Sequence, residues 1–309
     1  MATVRVEDVF KISGVPTHTF VRPSEFSRLQ VSLRTPGRGV IVECPSGIGK
    51  STAITKALQT LGIEDEVTLL SARVPEDVEY LELLPDLGQF GTVVIDDFHR
   101  LEESLKARIA DLLKVTADAE DPSRKLVLIG INDAGKSLVD SAPDLGNRLD
   151  VVGFEVEPAT KIEELVAAGE RAFNVEIACK QLIVENARGS FYVAQLLCLD
   201  ACVQAEVLER PDEMQAVATS YAAVQRRVVE RQRTRFGDTV RSFARGTKFR
   251  PGGRAPYLHI LRWLAACRSG VLERLHYGRD AKASYGEVER RGGIGSWLPS
   301  ESCPAGADR

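Results

Sequence analysis

The 309-residue chain contains no run of the roughly 18 to 20 uninterrupted apolar residues that a bilayer-spanning helix requires. Its first ten residues, MATVRVEDVF, lack the apolar block of a secretory signal, so the expected compartment is the cytoplasm and no membrane partner is expected. Cys44, Cys179, Cys198, Cys202, Cys267 and Cys303 are dispersed, without C-x-x-C spacing or nearby histidines. That scatter argues against a zinc site and against a disulfide framework, and for reduced core thiols. Internal repeats are absent, and so is an N-K-x-D stretch, which speaks against a guanine-specific switch. What the chain does have is 44% hydrophobic residues, enough for the cores of two or three domains.

The most informative stretch is Val40 to Thr52, VIVECPSGIGKST, an apolar run that breaks into a turn-forming loop ending in Gly49, Lys50 and Ser51. A buried strand that delivers such a loop to a helix start gathers backbone N–H groups and the positive helix end around one point, where a triphosphate binds. Pro45, Ser46, Gly47, Ile48 and Gly49 would cradle the phosphates, Lys50 would reach the outer ones, and Ser51, followed by Thr52, would hold Mg²⁺. Ile54, Ala57, Leu58 and Leu61 then recur at helical spacing, with Gly62 placed to close the helix.

The strict pattern G-x-x-x-x-G-K-[ST] wants glycine at Cys44, and a second stretch, GINDAGKS from Gly130 to Ser137, satisfies it completely. The first loop is preferred because only it is followed by an acidic strand end. Val93-Val94-Ile95-Asp96-Asp97 is a continuous apolar run closing on two carboxylates. Asp96 would organise the metal with Ser51, and Asp97 would orient the attacking water, unless its short side chain leaves it a supporting partner. Asn132, at the end of KLVLIGI, would meet the γ-phosphate or the water if its strand neighbours the acidic one; otherwise it is a turn residue. Arg148 reads either as an arginine finger onto a neighbouring subunit or as a surface arginine paired with Asp144 or Asp150. His99 is expected to pack or cap.

Strand-like runs at Gly39 to Glu43, Val67 to Ser71, Val93 to Asp96, Lys125 to Ile131 and Val151 to Val156 alternate with helical patterns, predicting an α/β fold with a parallel sheet. After Pro158 helices take over, through Ile162, Leu165 and Val166 and then Phe191 to Ala201. The charge also changes sign along the chain, with roughly 24 acidic against 17 basic residues before position 151 and 20 against 23 after it. Much of the change lies between Arg226 and Arg254, a concentration that could grip DNA or face an acidic protein, or simply be solvated.

Taken together, CPSGIGKST, VVIDDFHRL, the strand ending at Asn132, Arg148 before a further strand and the helical segment beyond resemble the AAA+ and STAND branch of P-loop ATPases, with an origin-recognition-like flavour. The resemblance covers roughly residues 10 to 210 and implies ATP and Mg²⁺ as cofactors and a P-loop NTPase core with a helical lid. It makes GVPTHTFVRPSEF the segment bordering the adenine, with Val15, Pro16 and Phe20 as walls. It also implies a nucleotide-driven switch that forms homo-oligomers or acts on a separate effector; many prokaryotic members act in defence or regulation. The expected organisation is an N-terminal segment at 1–37, a core at 38–158, a lid at 159–220 and a basic, mostly helical, winged-helix-like module at 221–309. The alternative is an ATP-dependent DNA-binding initiator or regulator that uses the basic C-terminal third. Cys44, Asp97 in place of glutamate, and a lid segment, ARGSFYVAQLL, whose nearest arginine is Arg188, point to slow hydrolysis.

Overall fold

The computed structural model describes residues 3–43, 49–130 and 145–245. Among them, strands β1 (Gly39–Glu43), β2 (Val67–Ser71), β3 (Gly91–Asp96), β4 (Arg124–Gly130) and β5 (Leu149–Gly153) form one sheet in the order β2-β3-β4-β1-β5. Every pairing in it is parallel. The described helices are α1 (Val6–Val9), α2 (Phe26–Arg34), α3 (Lys50–Leu61), α4 (Pro75–Leu83), α5 (Glu103–Ala119), α6 (Ala159–Phe173), α7 (Lys180–Ala187), α8 (Phe191–Gln204) and α9 (Tyr221–Arg245).

The apolar strands are continuous because both faces of the sheet are covered, and alternate residues go to opposite sides. Ile41, Val93, Ile95 and Leu128 pack with Leu81 of α4 and Ile109 and Leu113 of α5. Their neighbours Val40, Val42, Val94 and Val127 pack on the other side with Leu29 of α2 and Ile54 and Leu58 of α3. The register sets Glu43 opposite both Gly130 and Gly153, and Ile95 opposite Leu128. The carboxyl ends of β1, β3, β4 and β5 therefore finish along one rim, where open α/β sheets place their ligands.

Lys125, near the start of β4, is almost fully buried; its ammonium donates to the carbonyls of Ser32, Thr35 and Arg38 at 2.7, 2.5 and 3.0 Å. These carbonyls lie at and just beyond the end of α2, where helix carbonyls lack internal partners and the dipole favours a cation. Burial nonetheless pushes Lys125 down to about 8, a shift that Asp150 opposes and Arg38 adds to.

A separate apolar cluster unites α6, α7 and α8 with Val6, Val9 and Phe10 of the N-terminal segment. Phe10 lies so close over Gly169 of α6 that a Cβ there would collide with its ring. Two three-residue strands, β6 (Val175–Ile177) and β7 (Gln215–Val217), form a second small parallel pair, a feature the sequence patterns did not suggest. Within α8 the run from Ala194 to Cys202 is buried, including Asp200, whose carboxylate is completely enclosed. Burial pushes the Asp200 carboxyl up; Arg231 and Arg227 of α9, at 2.8 and 3.4 Å, act in the opposite direction.

The chain divides into compact units of residues 1–235 and 236–309. In the second, the described residues are the final turns of α9, where Arg241 bonds Asp238 at 2.6 Å. The helical module expected around Tyr257 and Trp263 lies outside the described residues. The expected strands coincide with the observed ones at β1 and β2. Elsewhere the limits shift: β3 begins at Gly91, β4 at Arg124, and β5 occupies Leu149–Gly153, leaving Val156 beyond it and exposed.

Candidate functional site

The rim where β1, β3 and β4 end carries most of the described residues singled out in the sequence. Gly49, just ahead of α3, has a φ of 99°, a left-handed conformation that glycine adopts without strain. Its carbonyl accepts the Ala53 amide at 2.8 Å, so α3 begins directly with Lys50, Ser51 and Thr52. At the other end Gly62, with φ of 67°, sends its amide to the Gln59 carbonyl. The loop residues Cys44, Pro45, Ser46, Gly47 and Ile48 lie outside the described residues.

Ser51 and Asp96 are 45 positions apart in sequence, and the fold brings them into contact: the Ser51 hydroxyl donates to Asp96 Oδ2 at 3.2 Å. The other carboxylate oxygen, Oδ1, accepts the Asp97 amide at 2.7 Å, which fixes the plane of the Asp96 carboxylate. A hydroxyl and a carboxylate held together are hard oxygen donors of the kind Mg²⁺ prefers, so this pair fits that ion.

Asp97 departs from the simple expectation. It sits in a left-handed conformation, φ 56° and ψ 31°, and its carboxylate is taken by Arg73, with Nε to Oδ2 at 2.5 Å and Nη2 to Oδ1 at 2.9 Å. Asp97 holds the Arg73 guanidinium above its ordinary value, first through this hydrogen bond and then through charge. Arg73 lies in the turn between β2 and α4, which the sheet order places beside the acidic strand. No sequence motif draws attention to it.

Strand β4 lies between β1 and β3, so the neighbour relation required for Asn132 is present, but Asn132 itself lies outside the described residues. So do Gly135, Lys136 and Ser137 of the second glycine-rich stretch; Gly130 ends β4. Arg148 does not contact Asp150 among the described residues; the other expected partner, Asp144, lies outside them. Arg148 Nε and Nη2 reach the two carboxylate oxygens of Asp118 on α5 at 2.6 and 3.1 Å, and this pair holds the Asp118 carboxyl below its ordinary range. Asp150 instead contacts Arg38 at 2.9 Å. His99 sits in a short turn after Asp97, its Nδ1 buried without a described partner.

Beside the start of α3 is a cavity of about 210 Å³. Pro16 and Phe20 wall it from the N-terminal segment, Gly49 and Thr52 from α3, and Phe191 and Gln195 from α8. Val15 does not line it; its carbonyl accepts Lys11 Nζ at 3.4 Å. Phe20 is fixed by edge-on packing on Phe26 and by Lys56 Nζ, 5.8 Å from its ring centre. The cavity is small beside the roughly 300–1,000 Å³ of sites that enclose drug-sized ligands, so it suits part of a ligand, such as one base.

The strand order, the glycine-started helix after β1 and the hydroxyl–carboxylate contact across the rim define the α/β fold of AAA+ P-loop ATPases. No protein-family model and no curated protein matches the chain. Among solved structures, Orc1 from Aeropyrum pernix, in complex with DNA, is similar over 88% of this chain and 84% of its own, with 16% identity and a TM-score of 0.52. Cdc6p from Pyrobaculum aerophilum matches over 66% of both chains at 16% identity and a TM-score of 0.48. A RuvB variant from Thermotoga maritima matches at 18% identity over 66% of this chain, with a TM-score of 0.45; the match spans 65% of that RuvB chain. The likeness to Orc1 is one of fold. Among the described residues, no helix is long and apolar enough to cross a membrane.

Proposed function

We propose that this chain binds ATP with Mg²⁺ at the rim between β1 and β3 and hydrolyses it slowly, as a switch whose nucleotide state controls self-assembly or a partner effector. The observation that carries the reading is the Ser51–Asp96 contact at 3.2 Å beneath a helix that opens on Gly49 and Lys50. Ser51 and Asp96 would hold Mg²⁺, which supplies charge neutralisation on the phosphates. Lys50, the amides of Ser46 to Gly49 and the N-terminus of α3 would bind the phosphate tail, with Pro45 bordering that loop and Thr52 and the cavity walled by Pro16 and Phe20 receiving the nucleoside. Asp97 and Asn132 are the groups proposed to align water, and Arg148 the one proposed to act across a subunit interface. Residues 38–158 would then serve as the core and 159–220 as the lid. Lys50→Ala should weaken ATP binding at least ~100-fold, as expected when a charge-assisted contact to phosphate is lost, measured by equilibrium titration with the full chain. Unchanged affinity would remove the site.

A second reading, a DNA-binding initiator or regulator, rests on α9, a 25-residue helix on which Arg226 and Arg233 are exposed. The Orc1 structure it resembles in fold was solved with DNA. Its mark would be an affinity for duplex DNA that falls steeply with salt and whose log–log slope shrinks by about one for each arginine between Arg226 and Arg254 that is removed.

A further inference from the structure

Two helix faces carry exposed apolar side chains bordered by charge, and the charges are of opposite sign. The first is the outer face of α4. Leu81 points inward and is fully buried, whereas Tyr80 and Leu83 are 38% and 60% exposed and have Glu76, Glu79 and Glu82 around them. Glu76, Tyr80 and Leu83 recur at the spacing of a single helical stripe, on the side opposite Leu81. None of the three glutamates has an ion pair or hydrogen bond among the described residues.

The second face lies on α9, turned away from the buried Val224. There Val229, 56% exposed, stands between Arg226 and Arg233, three positions after one and four before the other, so the three side chains share one side of the helix. Both arginines are exposed and make no ion pair among the described residues, unlike Arg227 and Arg231, which are engaged by Asp200. A lone exposed leucine or valine is ordinary. What sets these two apart is that each apolar centre has a border of one charge, the anatomy of an interaction surface, and that the borders are complementary. Because every residue named is exposed within one chain, the two faces do not cover each other there.

We infer that α4 of one copy of this chain receives α9 of a second copy, with Tyr80 and Leu83 packing on Val229, and Glu76, Glu79 and Glu82 facing Arg226 and Arg233. The contact is heterologous: each copy offers one face of each kind, so the same junction repeats from copy to copy. The acidic first half and basic second half of the chain orient approaching copies in the same sense. The inference rests on the self-assembly reading above and supplies its surfaces. Ion pairs this exposed are weak singly and screened by salt, so association should fall as salt rises.

The test is a charge exchange in the full chain, with mass followed by sedimentation at low salt in the presence of ATP and Mg²⁺. One variant carries Glu76→Lys, Glu79→Lys and Glu82→Lys; the other carries Arg226→Glu and Arg233→Glu and keeps Arg227 and Arg231 on Asp200. Each variant alone should associate at least roughly 100-fold more weakly than the parent, because like charges then meet at the junction. Mixed in equal amounts, the two should assemble as the parent does, since the basic helix of the first meets the glutamates of the second, and the acidic helix of the second meets the lysines of the first. If the parent assembles but the variants associate equally well alone, or if variants with the parent's circular dichroism stay apart when mixed, the α4–α9 junction is overturned and nucleotide-driven assembly stands. A parent that remains monomeric with ATP overturns the junction and the self-assembly reading together, and leaves α9 to nucleic acid or an acidic protein.

Discussion

At the scale of single residues, the site is governed by which partner each carboxylate takes. Asp96 faces Ser51, whereas Asp97, the next residue, turns through a left-handed backbone and is clamped by Arg73. A carboxylate held by a guanidinium is withheld from water, so the Arg73 clamp is expected to restrain hydrolysis. Under the proposed function, Asp97→Asn should lower single-turnover hydrolysis at least ~100-fold, the lower end of the range for losing a general base, while ATP binding persists. Arg73→Met should raise hydrolysis several-fold; a fall in that variant would show instead that Arg73 positions Asp97 productively. The asymmetry between these neighbours explains what the sequence could reveal. The place of Asp96 was legible because it ends an apolar run that forms a strand buried on both faces. Arg73 was not, because only the adjacency of β2 and β3 brings a turn 24 positions upstream onto Asp97.

At the scale of elements, two side chains act where helices meet their neighbours. Lys125 closes the carbonyl end of α2, and replacing it with methionine leaves three carbonyls without their donor, at a cost of about 1–3 kcal/mol at pH 7. The pH dependence is specific. Lys125 titrates near 8 in the folded chain against 10.5 ordinarily, so between those values the unfolded chain holds the proton more firmly and stability rises with pH. Denaturant titrations at pH 7.5 and 9.5 should show that rise in the parent and lose it in Lys125→Met. In α6, Gly169→Ala forces the Phe10 ring away and should cost about 1–3 kcal/mol by overpacking, read as a lowered Tm. The strands with unbroken apolar runs were readable for the reason that the sheet is buried on both faces, and Gly62 was readable as a helix stop because only a left-handed cap closes that turn. The β6 and β7 pair was not, since three residues per strand carry too little alternation to register.

At the scale of the whole molecule, the proposed switch must change its assembly or its partner with nucleotide. ATP is expected to raise the mass observed by light scattering, with Lys50→Ala unresponsive. Mixing Arg148→Ala with Lys50→Ala protein should restore part of the turnover if Arg148 acts across an interface, and no rescue would argue against that role. The long basic helix adds a constraint of its own. Arg227 and Arg231 neutralise Asp200, an acid wholly enclosed on α8. A polyanion that recruited these two guanidiniums would strip an interior charge of its counterions, so capture of nucleic acid and anchorage of the helix would be rivals for the same pair of cations. Duplex DNA that engages them should speed amide hydrogen exchange along 221–235, whereas DNA held only by their neighbours should leave it unchanged.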